Sequence, residues 1–245
     1  MLEHKEYKRL CETANTAILF VHGIIGTPNH FNDFIKTVPA DVSVYNMLLD
    51  GHGGSVKDFS GTSMKKWEAQ MQRVIAELSE THEKIYIVAH SMGTLLAMEQ
   101  AVSNDKIAKL FLLAVPLKIA PKAKMFLNSA KVYLNRVNPQ DAYALAAKNC
   151  YGIGQEKNPL KYIGWMPRFF ELFVKARHTR NLAKRLITPC AVYQSVKDEM
   201  VSMGSIRYFK DNPNIEVVKL PKSAHYYYDE NDFRFLLDEF KRFVG

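Results

Sequence analysis

Apolar, β-branched runs recur along the chain at 17–23 (AILFVHG), 42–49 (VSVYNMLL), 85–91 (IYIVAHS), 109–116 (KLFLLAVP), 190–198 (CAVYQSVKD) and 215–220 (IEVVKL). Their apolarity is near-continuous, the mark of strands covered on both faces. Between them the period changes to 3.6. Residues 64–80 place Trp67, Met71, Val74, Ile75 and Leu78 on one stripe, and 231–244 place Phe233, Leu236, Leu237, Phe240 and Val244 on another. Strands alternating with helices predict an α/β fold, a mostly parallel sheet of about six to seven strands flanked by helices. No clear strand precedes residue 17, so the sheet is expected to be trimmed at its start. Residues 117–186 break the alternation: they hold Met, Leu and aromatic residues at helical spacing, as in MPRFFELFVKAR, and no convincing strand. A helical insertion between two strands would sit over the carboxyl edge of the sheet, where open α/β sheets bind ligands. The chain is therefore read as a core of 1–116 and 187–245 with a helical cap (lid) of 117–186.

Composition narrows the class. A chain of 245 residues, 47% apolar, suits one core with an insertion. Cys11, Cys150 and Cys190 form no C-x-x-C, which argues against a disulfide framework or zinc ribbon and suits a reducing compartment. The N-terminus MLEHKEYKRL has no apolar signal core, and the longest apolar runs fall well short of the roughly 18 residues a membrane span needs. A cytoplasmic protein is expected. The net charge is +8, but residues 117–186 alone carry +11 and the remainder −3, so basicity belongs to the cap. A basic cap suits weak contact with an anionic substrate or membrane surface; a solvated face of helices is the plainer reading. No nucleic-acid-binding module is recognisable, and nucleic acid is not expected as a partner.

The chemistry concentrates in IYIVAHSMGTLLAMEQA, 85–101. Ser91 lies between a strand and a helix, flanked by Ala89 and Gly93. Small residues at those two positions permit a turn so sharp that the serine is pushed out above the sheet. The pattern A-x-S-x-G is weak alone; the strand before it and the helix after it are the context it requires. A serine hydroxyl needs a base beside it and a third group to orient that base. Asp198, near the end of one predicted strand, and His225, after the next, supply them, with Glu199 as the rival acid. Oxyanion donors would be the amides of Met92, which opens the helix after Ser91, and Ile24, in the loop VHGIIGTP. That loop lacks the glycine and lysine pattern of phosphate-binding loops. His90 is read as an orienting or packing residue, and His22 and His52 lack metal-ligand spacing, so no metal and no cofactor are expected. Met125, Phe126, Trp165, Met166, Phe169, Phe170 and Phe173 are candidates for an acyl pocket, Met125, Phe126, Trp165 and Phe169 foremost, against the plainer reading of ordinary core beneath the cap.

With VHGIIGTP, DGHGGS (50–55), AHSMG, DEMV and SAH on the page, the chain resembles the α/β-hydrolase superfamily, and within it the compact bacterial carboxylesterases and monoacylglycerol-lipase-like serine esterases. The resemblance spans about residues 17–244 and implies the triad Ser91, Asp198 and His225 with donors Ile24 and Met92. Alanine at 89 departs from the usual glycine. The implied activity is hydrolysis of a small-molecule carboxylic ester, with short to medium acyl chains or a monoacylglycerol-like substrate, through an acyl-enzyme. Thioesterases, lactonases and carbon-carbon bond hydrolases use the same parts, and a small-molecule receptor of the same fold is the alternative from another class. A neutral His225 base implies activity rising through about pH 6 to 7.

Overall fold

The structure, a computed structural model, describes residues 4–245. The first three residues of the N-terminal stretch, with the start of the 1–116 segment, lie outside the described residues. In chain order the elements are β1 (Tyr7–Arg9), β2 (Thr16–Val21), α1 (Asn32–Ile35), β3 (Ser43–Asn46), α2 (Val56–Ser60), α3 (Met64–Thr81), β4 (Lys84–His90), α4 (Met92–Ser103), β5 (Ile107–Leu113), α5 (Ala123–Tyr133), α6 (Ala142–Cys150), α7 (Met166–Ala183), β6 (Cys190–Ser195), β7 (Ile215–Leu220) and α8 (Glu230–Val244). The strands form one seven-stranded sheet in the order β1-β3-β2-β4-β5-β6-β7. All pairs are parallel except β1 with β3.

The strand β1 corrects the expectation of a trimmed sheet. Tyr-Lys-Arg is three residues long and largely exposed, with Tyr7 opposite Asn46 and Arg9 opposite Val44. A short charged edge strand carries no apolar run, and such residues suit an edge because they discourage further pairing.

Near-continuous apolarity in the sequence becomes two cores, one on each face of the sheet. Ala17, Leu19 and Val21 of β2 face Trp67 and Met71 of α3 and Leu95 and Leu96 of α4. Ile18 and Phe20, between them, face Phe31, Phe34 of α1 and Phe240 of α8. This is the period-2 alternation of a strand. Phe240 anchors the second face, with ring centroids 5.2 Å from Phe34 and 5.6 Å from Phe111. Burying each such ring contributes about 1.5–3 kcal/mol.

Between β5 and β6, residues 117–186 hold three α-helices and a 3-10 helix, Pro159–Trp165. The last of the α-helices, α7, lies against the core. Arg168 donates to Ser60 O at 2.9 Å and pairs with Glu171, whose carboxylate accepts the Met64 amide at 2.9 Å. Lys175, 7% exposed, places its ammonium between Glu68 of α3, at 2.6 Å, and Glu99 of α4. A buried ammonium is tolerated only when so paired. Covered by α7 on its outer side, α4 is buried around most of its circumference.

Candidate active site

Strand β4 delivers Ser91 to the carboxyl edge of the sheet, and α4 starts one residue later. Ser91 has φ 51° and ψ −122°, a conformation L-residues rarely hold. Such backbone costs about 1–3 kcal/mol and survives only where its surroundings enforce it. Those surroundings are identifiable: the Ser91 amide donates to Leu113 O at 2.9 Å, and the Ser91 carbonyl accepts from Thr94 Oγ1 at 2.6 Å. The flanking small residues do separate work. Ala89 is wholly buried in β4 between β2 and β5. A Cβ on Gly93 would stand 2.3 Å from Val21 O and 2.7 Å from His22 O. Gly93→Ala is therefore expected to cost about 1–3 kcal/mol, by forcing the backbone after β2 to move, despite alanine's better helix propensity. A denaturant melt with unchanged or raised midpoint would show that the loop yields freely.

The loop after β2 passes against the serine: a Cβ on Gly23 would come within 2.8 Å of Ser91 Cβ. His22 sets this loop. Its Nε2 accepts the Leu49 amide at 3.1 Å, so the proton sits on Nδ1, which donates to Gly23 O at 2.9 Å. Ile25 takes φ 52°, and its carbonyl accepts the Gly152 amide at 2.8 Å. Gly152 in turn accepts the Gly53 amide at 2.6 Å, and the Gly154 amide donates to Gly54 O. A Cβ on Gly152 would lie 2.2 Å from Gly26 O. The 117–186 segment is thus pinned by backbone bonds to the loop beside Ser91 and to the loop at Gly53 and Gly54.

Asp198 lies three residues beyond β6, not at the strand's last residue as the sequence pattern implied. Its Oδ1 accepts the amides of Met200 and Val201, each at 2.7 Å, and its Oδ2 meets His225 Nδ1 at 2.8 Å. The rival acid, Glu199, instead accepts the His225 backbone amide at 3.3 Å. Lys122 Nζ caps the Asp198 carbonyl at 2.6 Å. His225 is wholly buried; its Nε2 has no hydrogen-bond partner among the described residues, and the Ser91 hydroxyl is not bonded to it in this conformation. Burial opposes charging of this ring, but the Asp198 carboxylate, by charge and hydrogen bond, and Glu199 beyond it hold the His225 pKa above its ordinary 6.5.

Around the site stands a group of rings that the sequence reading did not assemble. His90 Nε2 donates to His225 O at 2.9 Å, bracing the loop after β7. His30 stacks 4.1 Å from His90, and His22 lies 4.7 Å from His52. Burial first, then neighbouring histidines, hold His22 and His90 well below 6.5, and burial brings His52 to about 4. These rings are neutral. Among the described residues no group of three His, Cys, Asp or Glu side chains is placed to hold a metal ion. Cys150 touches His30 at 3.4 Å, yet burial pushes its thiol up to about 12, too high for a thiolate nucleophile. Tyr226 packs edge-on to His225 at 4.7 Å, and Tyr151 of the inserted segment packs on Tyr226 at 5.6 Å.

Of the pocket candidates, Met166, Phe170 and Phe173 are instead exposed on α7, while Trp165 is buried against Phe59, 4.9 Å away, and its indole donates to Val56 O, which ties the inserted segment to α2. Phe126 is 60% exposed on α5, and Met125 beside it is half-buried. Phe169 is half-buried against the same apolar cluster as Trp165.

Strand order, the strained serine between β4 and α4, and the Asp198–His225 pair at the same sheet edge define an α/β-hydrolase fold. The chain belongs to the family described as serine aminopeptidase, S33, which matches residues 12–231. Its structure is similar to one from the lipolytic enzymes LipS and LipT, derived from a metagenome, at TM-score 0.75 and 17% identity, covering 99% of this chain and 97% of that one. It is also similar to the monoacylglycerol lipase of Paleococcus ferrophilus, at 0.66 and 18%, covering 99% of each. A third likeness is to Est1E from Butyrivibrio proteoclasticus with ferulic acid bound, at 0.65 and 19%, covering 98% and 93%. At these identities the likeness establishes the fold. No curated protein matches the chain. Among the described residues no helix is long and apolar enough to cross a membrane.

Proposed function

We propose that this α/β hydrolase cleaves carboxylic esters through an acyl-enzyme, with short to medium acyl esters or monoacylglycerol-like molecules as substrates. The observation that carries the reading is the Ser91 backbone at φ 51°, set at the sheet edge that also holds the Asp198–His225 pair. Ser91 Oγ attacks the ester carbonyl while His225 Nε2 takes its proton. Asp198 keeps the other ring proton on Nδ1 and stabilises the imidazolium. The two amides on its second oxygen hold the carboxylate in place. Oxyanion donors are the amides of Met92, at the first turn of α4 and outside the helix ladder, and of Ile24, beside the Gly23–Ser91 contact. One such donor contributes about 2.7–4 kcal/mol to the transition state. The imidazolium then protonates the leaving alcohol, and water attacks the acyl-enzyme with His225 again as base.

Residues 117–186 serve as a lid over a core of 1–116 and 187–245. With Ser91 4% exposed and His225 covered, the lid must shift to admit substrate. Tyr226, 4.7 Å from the His225 ring, and Tyr151, packed on it, take the pocket role in this reading, together with Met125 and Phe169.

The deciding experiment is labelling with a fluorophosphonate probe, followed by a panel of p-nitrophenyl esters from acetate to decanoate and an aminoacyl p-nitroanilide. Labelling with ester turnover that peaks at one chain length supports the proposal. Faster turnover of the anilide would favour the peptidase that the family description names, and labelling without turnover would favour a receptor.

Activity depends on neutral His225, whose pKa is raised above 6.5, so kcat/KM is expected to rise with pH through a midpoint above 6.5. The structure moves this midpoint upward from the value of a free imidazole. A profile already flat above pH 6 would place the base elsewhere.

A further inference from the structure

Large exposed apolar side chains are concentrated on one stretch of the inserted segment. Leu160, Ile163, Met166, Phe170, Phe173 and Val174 are between 48% and 70% exposed. At 100° per residue the four on α7, namely Met166, Phe170, Phe173 and Val174, fall within an arc of about 100°. The opposite side of α7 buries Leu172, Lys175, Ala176 and Thr179 against the core. The apolar arc is thus the helix's outward face and not a core face left open by poor packing.

Further along α7 the same outward line turns basic. Arg177 and Lys184 continue the stripe, Arg185 lies beside it, and all three are exposed. Lys157 is exposed at the other end of the apolar block. The acids nearby are already engaged: Glu156 holds Lys161 at 2.5 Å, and Glu171 holds Arg168 and the Met64 amide. An apolar strip continued by uncompensated basic residues is the chemistry of an interfacial helix on an anionic lipid surface. A second copy of this chain fits less well, because a two-fold contact would set one +11 segment against another.

We infer that the outward face of Leu160–Val174, together with Arg177 and Lys184, docks the protein on anionic lipid surfaces. The apolar side chains enter the acyl boundary and the basic residues meet the headgroups. This surface binding is independent of the esterase reading, since it is read without turnover.

The experiment is flotation of the protein with vesicles of phosphatidylcholine alone and of phosphatidylcholine mixed with phosphatidylglycerol, at low and high salt. Binding is expected to the mixed vesicles, to weaken with salt, and to be much weaker on phosphatidylcholine alone. Met166→Asp with Phe170→Asp is expected to lower partitioning at least about tenfold, because two apolar anchors are lost. Arg177→Gln and Lys184→Gln should each lower it about fivefold on the mixed vesicles only. These side chains are exposed, so circular dichroism and the thermal midpoint serve as fold controls. The inference is overturned by absence of flotation with either vesicle, or by flotation that the substitutions leave unchanged. It is equally overturned if the apolar pair of substitutions instead abolishes a concentration-dependent dimer, which would assign the face to a second copy.

Discussion

Ser91→Ala is expected to lower kcat by about 10⁶-fold while the fold persists, because members of a nucleophile-base-acid unit act together and losing the nucleophile forfeits nearly all of their joint effect. Removing Oγ also leaves φ 51° for alanine to hold at no greater steric cost than serine, so the far-ultraviolet spectrum and melting point should stay close to wild type. Asp198→Asn tests the orienting role separately. Asparagine can present its NH₂ to Nδ1, which reverses the ring tautomer and puts a proton on the atom that must act as base; a loss of about 10⁴-fold in kcat follows. Glu199→Gln is expected to stay within about tenfold, since the Glu199 carboxylate bonds the backbone amide of His225 and reaches the ring by charge alone. Rates on one p-nitrophenyl ester, measured in single-turnover and steady-state modes, decide the matter. Residual activity above a per cent in Ser91→Ala would remove Ser91 as nucleophile, and a larger loss in Glu199→Gln than in Asp198→Asn would exchange the two acids.

The second large effect is on stability in acid. His22, His52 and His90 are buried, and their folded pKa values are depressed, to about 4 for His52, against about 6.5 in an unfolded chain. A histidine held neutral this way contributes its full stability above pH 6.5 and loses it as the pH falls below, where only the unfolded chain takes up the proton. Each costs about 1.4 kcal/mol per pH unit, and His30, brought to about 3 chiefly by burial, adds a fourth, so the slope is about 5.5 kcal/mol per unit. His225 runs the other way. Its raised pKa gives stability that is present below 6.5 and is lost as pH rises through the folded value, which does not offset the slope at lower pH, where both states hold that proton. Against a typical stability of about 5–15 kcal/mol, unfolding is expected roughly one to three units below pH 6.5. Urea melts from pH 7 to 4.5 would measure the slope. His90→Gln, which keeps a donor for His225 O, should reduce it by about one proton. A stability constant across that range would mean that the rings are charged or solvated in the native state.

Burial is common to both pH effects: it holds His22, His52 and His90 neutral, and it opposes the charging of His225. The carboxylate of Asp198 decides which ring stays basic. Of the rings gathered here, only His225 carries a hydrogen bond from its side chain to an acid.

The strands were legible because burial on both faces demands unbroken apolar runs; β2, β4, β5, β6 and β7 fall where those runs lie. Helices α3 and α8 were legible for the complementary reason, a single buried stripe at period 3.6. The serine turn was legible because it demands small side chains at 89 and 93, and Gly93 meets backbone oxygen on its open side. By contrast, β1 is held by pairing with β3 and carries no core, so its sequence bears no pattern. Tertiary packing alone decided which acid reaches His225: Asp198 and Glu199 are adjacent, equally charged and both buried, and only the turn geometry that gives Asp198 two amides turns its other oxygen to the ring. It also decided that Trp165 braces α2 and that the rings of Tyr151 and Tyr226 meet beside His225. Aromatic residues at helical spacing declare that they pack but not against what, because the partner lies across the fold at a distance that no local period records.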